Sequence, residues 1–285
     1  MVLTSEVEPS TILRGVVGST AHGLAIDGQD DLDEMGVCIE SLELAMGVGS
    51  RFEQHIFRTA AEREGKHDAR SQPGDLDLTI YGLRKYLGLA LKGNPTILIL
   101  LYLPKELCLT RTSLGAQLQE LAPKIVSRGA IGAFLGYLRA QEQRLKGERG
   151  TKTHRPELVA RATSTVITAH GYNTKFAMHA LRLGYQGLEL ANTGRLELPI
   201  AIVTRGYLRD VREGKVPLAD VLAKIEQLGS QLAQIIDNIS LSALPANPDV
   251  KAVNDWMLDV YMSWWKANET RPWPIGTPMP ELVEG

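Results

Sequence analysis

Apolar residues recur along this chain in two rhythms. Up to about residue 108 the apolar runs are short, Ile12 to Val17, Met35 to Glu40 and Leu76 to Tyr81, and glycine, serine and aspartate separate them, as expected of strands divided by turns. Between them lie helix-like segments; Leu83 to Lys92 has amphipathic spacing and is stopped by Gly93-Asn94-Pro95. Ala60 to Gly74 has no apolar period and reads as a mobile loop between strands, a candidate lid or acceptor contact. From Ser113 onward the strand rhythm disappears. Residues 113–122, 129–146, 157–184, 199–213, 217–237 and 249–266 carry the helical period instead. The pattern therefore predicts an α+β protein: a mixed sheet with helices over residues 1–110, then a helical domain over 111–285. Trp256, Trp264 and Trp265 read as anchors of that helical part, and Arg271 to Pro278 is too proline-rich for a helix and reads as an extended strap. No internal repeat is apparent.

Composition narrows the setting. A chain of 285 residues with 44% hydrophobic content can bury one large core or two modest ones. No apolar stretch is long enough to span a bilayer, and Met1 to Glu6 lacks the basic flank of a signal peptide. Cys38 and Cys108 sit in apolar surroundings without metal-ligand spacing and read as small core residues of a reducing cytoplasm. The net charge of −2 conceals a segregation: residues 1–80 hold fifteen acids against six bases, whereas residues 139–182 hold nine bases against three acids. An acidic part that gathers metal and a basic part that faces polyanions fit a site for nucleoside triphosphate or nucleic acid.

The most informative residues are Asp31 and Asp33, preceded by Gly18-Ser19 at the end of an apolar run. On a strand, side chains at i and i+2 leave the same face, so both carboxylates can converge on one place. Oxygen-only ligands suit magnesium or manganese. Glycine admits close backbone approach, and the serine hydroxyl beside exposed N–H groups can hold a phosphate oxygen. A polar turn formed with Asp27, Gly28 and Asp30 is the competing reading.

This arrangement, Val17-Gly18-Ser19 followed by Asp31-Leu32-Asp33, resembles the signature of the DNA polymerase β nucleotidyltransferase superfamily. Tyr81 to Thr96 and Gly171 to Arg182 further resemble its bacterial and phage branch, typified by the YcgL-like nucleotidyltransferases and associated with RNA repair; the likeness runs from about Val16 to about Pro199. It implies a polymerase-β-type palm and a third carboxylate from a later strand. Asp75 and Asp77 both offer one, and Asp77 is favoured because it leads directly into an apolar run. It also implies two magnesium or manganese ions held by Asp31, Asp33 and Asp77. Gly18 and Ser19 would hold phosphates of a nucleoside triphosphate donor, and an RNA or tRNA end would be the acceptor. The family usually has aspartate where this chain has Asn173, and Glu189 resembles a retained acid of unassigned role.

Cations complete the picture. Lys175, His179 and Arg182 fall at i, i+4 and i+7 and share one helix face, with Ala177, Met178, Leu181 and Tyr185 assigned to the opposing apolar side; arginine there can grip phosphate bidentately. Lys85 lies near a helix start, where the dipole disfavours cations, so a ligand is the better account of it. Arg139, Arg144 and Lys152 are candidate acceptor or phosphate contacts, against the alternative that they and Lys146, Arg149 and Arg155 form a solvated face. Aromatic content is low, and no RNA-recognition module is evident. Nucleotide transfer to a protein or a small molecule, or a catalytically idle nucleotide or RNA sensor, remain as alternatives.

Overall fold

The short apolar runs pair into one sheet. In the computed structural model, which describes residues 10–26, 28, 30–49, 51–66, 69–148 and 170–268, β1 (Thr11–Val16) leads through α1 (Gly18–His22) to β2 (Leu32–Cys38). Then come α2 (Leu42–Met46), β3 (Gln54–Arg58), α3 (Thr59–Glu64) and β4 (Leu76–Gly82), followed by α4 (Leu83–Ala90), α5 (Pro95–Leu101) and β5 (Cys108–Arg111). The strand order is β3-β4-β2-β1-β5. Among the described residues only β2 and β4 run parallel, joined by the crossover through β3, and their register sets Asp33 beside Asp77, Met35 beside Thr79 and Val37 beside Tyr81.

Two strands lacked a readable pattern. β3 alternates exposed and half-buried positions at the sheet edge, so no apolar face marks it, and β5 has four residues. The segment read as a loop from Ala60 to Gly74 is corrected in its first part: Thr59–Glu64 is helical with Ala60 fully buried, because one small apolar residue sufficed to dock a short helix.

Helices follow among the described residues: α6 (Ser113–Glu120), α7 (Ala122–Ile125), α8 (Gly129–Leu145), α9 (Thr174–Thr193), α10 (Ile202–Arg212), α11 (Leu218–Asp237) and α12 (Val250–Asn268). α9 begins where Asn173 caps it by accepting from the Phe176 N–H at 3.1 Å, a role that needs no charge. The predicted helix over 157–184 thus ends later than expected, and residues 157–169 lie outside the described ones, as does the strap at 271–278. α9 packs against α8, α10 and α11. A Cβ on Gly184 would press on Leu228 and Leu138, and one on Gly187 on Phe134 and Leu232, so these glycines set how closely the helices approach.

One continuous hydrophobic cluster runs from Ile12 and Leu13 on β1 through Leu98, Phe134 and Leu181 to Trp265. α12 reaches back to the sheet: the Tyr261 hydroxyl donates to Glu40 Oε2 at 2.6 Å and the Trp265 indole donates to the Glu40 carbonyl at 2.8 Å. Burial pushes the Glu40 carboxyl up. Trp256 donates to Gln117 at 3.0 Å. Cys38 and Cys108 are free thiols. Among the described residues no helix is long and apolar enough to cross a membrane.

Candidate active site

The turn after β1 is built around Asp33. The Val17 N–H donates to the Asp33 carbonyl at 2.8 Å, and Gly18 takes a φ of 60°, which glycine adopts without strain. A Cβ on Gly18 would collide with the Asp33 carboxylate, so the glycine serves both the turn and the close approach. Asp30 closes the following loop by accepting from the Ile26 N–H at 2.7 Å.

Asp31, Asp33 and Asp77 each offer a carboxylate oxygen, and the three oxygens lie within 4.8 Å of one another. Parallel pairing of β2 with β4 puts Asp77 beside Asp33. Asp75, two residues earlier, is buried and gripped elsewhere: Arg63 donates to it through both terminal nitrogens at 2.7 and 3.0 Å, and the Gln72 N–H donates at 2.7 Å. Those bonds hold the Asp75 carboxyl below its ordinary value, the Arg63 contact contributing most. Asp33 shifts the other way, up to about 6, through burial first and then repulsion from Asp31 and Asp77. Clustered, half-buried carboxylates, of which Asp33 is raised by its neighbours, fit a hard divalent cation, which would relieve the repulsion.

Two neighbours of this cluster gave no signal in the sequence. Arg58 Nε donates to both Asp77 oxygens at 3.2 Å, and the Ser71 hydroxyl lies 2.9 Å from both. Register explains Arg58, since β3 pairs it directly with Asp77; with β3 unread, that pairing could not be seen. Ser71 comes from the segment read as a mobile loop, whose last part is fastened to both Asp75 and Asp77.

A basic wall faces the acids. Lys175, Met178, His179 and Arg182 of α9, with Arg212 of α10 and His22 of α1, line a cavity of about 150 Å³ that also contains Gly18, Ser19, Asp30, Asp31 and Asp33. Met178 therefore belongs to the cavity face, not to the opposing one: three residues along a helix is a turn of about 300°, which returns close to Lys175. Ala177 and Leu181 are fully buried, and Tyr185 meets Tyr207 edge to face. The wall is bound together from behind. Arg182 donates to His22 Nε2 and, at 3.1 Å, to Gln186 Oε1, and Arg212 donates to the Thr174 hydroxyl at 3.3 Å. Burial brings the Arg182 guanidinium down to about 10. His22 and His179 are kept neutral, by burial first and then by the positive charge of Arg182; His179 falls to about 3, with Lys175, Arg212 and Arg144 adding to the effect. His22 and Arg212 were not picked out in the sequence. His22 stands four residues after Gly18, one helical turn on, which is the one sequence cue to it.

Other candidate cations stand apart. Lys85 is paired with Glu53 at 2.8 Å and Arg139 with Glu142 and Glu226 at 2.8 and 2.7 Å, and neither lines the cavity. Lys85 stands in a surface ion pair because Glu53, just before β3, lies beside its helix. Arg144 influences His179 without lining the cavity, and Lys152 lies outside the described residues. Glu189 accepts from the Glu197 N–H at 3.3 Å, a bond within the helical part, and burial pushes its carboxyl up.

Residues 3–238 match the sequence profile of the RNA repair pathway DNA polymerase beta family. No curated protein sequence matches significantly. Among solved structures the chain is similar to a nucleotidyltransferase-like protein from Exiguobacterium sibiricum, at 11% identity over 93% of this chain and 77% of that one, with a TM-score of 0.29.

Proposed function

Because the chain belongs to the RNA repair pathway DNA polymerase beta family, we propose that it moves a nucleoside monophosphate from a nucleoside triphosphate to a hydroxyl at an RNA or tRNA end. The observation that carries this reading is the meeting, in one cavity, of Asp31 and Asp33, two of the three clustered aspartates, with Lys175, Arg182 and Arg212. Residues 1–110 supply the acids and residues 111–285 the cations.

Asp31, Asp33 and Asp77 would hold a pair of magnesium or manganese ions, which when bound supply charge neutralisation at the reacting phosphate and a more acidic acceptor hydroxyl. The chain's own residues do the positioning. Gly18 and Ser19 bring the turn against the phosphates, and Lys175 and Arg212 face the charge that grows on the departing pyrophosphate. Arg182, held by His22 and Gln186, presents a fixed positive charge that needs no reorganisation during the reaction. Neutral His179 adds a polar group to this wall without adding charge. The two free thiols fit a reducing cytoplasm.

The test is incubation with each α-labelled nucleoside triphosphate, magnesium or manganese, and a panel of RNAs, beside Asp31→Asn/Asp33→Asn. Label transferred to RNA by the unaltered protein alone is the expected result. Equal transfer by the double variant would overturn the reading.

A further inference from the structure

Three arginines stand on one face of α10 with their charge left open. Arg205, Arg209 and Arg212 fall at i, i+4 and i+7 of the helix, a row about 10 Å long. Several arginines of the sheet region and of α8 are paired with carboxylates: Arg14 with Glu34, Arg58 with Asp77, Arg63 with Asp75 and Arg139 with Glu226. Among the described residues no carboxylate pairs with the three on α10, and the two acids of their own stretch, Asp210 and Glu213, are taken by Lys215 at 3.4 and 2.5 Å. Uncharged oxygens hold the row instead. Arg209 donates to the Gly23 carbonyl at 2.8 Å and Arg212 to the Thr174 hydroxyl at 3.3 Å, and the Arg205 guanidinium lies where a Cβ on Gly23 would collide with it. A neutral acceptor fixes a guanidinium in place and leaves its positive charge to act on a ligand.

The row has a direction. Arg212 lines the cavity that contains Asp31 and Asp33, whereas Arg205 and Arg209 do not, so it starts inside the site and runs outward past Gly23, in the turn that closes α1. Its far end is apolar: Ile202, on the same face three residues before Arg205, is 75% exposed, and Val203 beside it is 84% exposed. Tyr207, the aromatic residue of α10, is turned to Tyr185 and offers the row no stacking surface. A ligand that used the whole row would carry anionic groups at intervals, suited to the planar fork of arginine, and an apolar group for its outer end. A strand of nucleotides has both.

We propose that this face of α10 is a track for single-stranded RNA: phosphodiesters lie on Arg205 and Arg209, a base of the same strand rests on Ile202 and Val203, and the strand enters the cavity at Arg212. Arg205 and Arg209 act outside the cavity and touch neither the donor nor the carboxylates. Because the grip is made by charge and lacks an aromatic platform, it is independent of sequence and falls steeply with salt. The assignment rests on the transfer reading above and adds the surface along which the RNA approaches.

The experiment measures binding of a fluorescent single-stranded RNA oligonucleotide to the full chain over a range of salt, in the parent, Arg209→Gln, Arg205→Gln/Arg209→Gln and Lys215→Gln, beside the affinity for a non-hydrolysable nucleoside triphosphate. Arg209 is exposed, so its variant tests the track with the fold intact. Each lost phosphate contact should flatten the plot of log affinity against log salt by about 0.7, hence by about 1.4 in the double variant. RNA affinity should fall roughly tenfold or more in that variant, with triphosphate affinity held. Lys215→Gln removes the same charge as Arg209→Gln but from a cation already paired, and should leave the slope as it was. An unaltered slope in both arginine variants, or an equal change in Lys215→Gln, overturns the proposal. So does a polyglutamate peptide that binds as tightly as the RNA and is lost in the double variant, since the row would then take acidic protein. RNA held on the track but never labelled from any nucleoside triphosphate would sink the transfer reading and leave the track; labelling with an undiminished dependence on RNA concentration in the double variant would do the reverse.

Discussion

The two sides of the cavity are held in opposite ways. On the sheet side, three carboxylates crowd together, and burial with repulsion from Asp31 and Asp77 raises Asp33 to about 6; this side is organised for a ligand and is worse off without one. On the helical side, the cations are fastened to the protein itself, Arg182 by His22 and Gln186 and Arg212 by Thr174. That side is organised already. The lesson is that one site divides its electrostatics between a sheet face that stores repulsion and a wall that removes motion.

The strongest way to break this comparison is Asp33→Asn. Transfer should fall about a hundredfold to a thousandfold or more, the scale for losing a principal electrostatic contact. Stability should move the other way. A carboxyl raised in the folded state destabilises the fold above its folded pKa, so without divalent metal at pH 8 the variant gains on the order of 1 kcal/mol after allowance for solvent screening. Urea unfolding in chelator measures this; a variant less stable than the parent would show that the aspartates are structural.

Arg182→Ala is the matching test of the wall. It leaves His22 and Gln186 without their partner, and the loss should be on the order of 3 kcal/mol in stability, together with transfer. One side of the site thus loses activity and gains stability, the other loses both. If Arg182→Ala unfolds at the same urea concentration as the parent, the wall is not bound together as described.

How much of this was legible in the sequence follows from what carries each feature. α8 and α11 stand within a residue of where their period placed them, because a helix writes its buried face locally. β3 does not, since its two faces are both partly exposed at an edge. That single omission hid Arg58 and Glu53, hence the pairing of Asp77 and the surface fate of Lys85. Asp31, Asp33 and Asp77 could be read because two of them lie close in the chain and the third opens an apolar run. His22 and Arg182 are bound across 160 residues, and no local period encodes a contact of that range.

The histidines sharpen the comparison through pH. His179 titrates at about 3 in the folded protein against the ordinary histidine value of 6.5. Between those values the unfolded chain binds the extra proton, so this contribution to stability is full above 6.5 and is lost as pH falls, at about 1.4 kcal/mol per pH unit. Asp33, Glu40 and Glu189, all raised, act with the opposite sign. The quantity to measure is therefore the difference between the parent and His179→Asn from pH 7 to pH 5, which should shrink steadily as acid is added. A difference that does not vary with pH would mean that His179 is charged in the fold and adds to the wall.

The smallest effects separate cations that line the cavity from those that do not. Lys175 is exposed at its mouth, with no buried partner to abandon among the described residues, so Lys175→Ala should leave urea unfolding unchanged and weaken nucleoside triphosphate binding about tenfold, the order of one charge-assisted contact. Lys85 has the same charge and lies on the first turn of α4, but its ammonium is given to Glu53, and exposed pairs of this kind contribute little. Lys85→Ala should leave triphosphate affinity where it was. Equal losses in the two variants would mean that the site responds to net charge alone, and the distinction between a structured wall and a generally basic surface would fall.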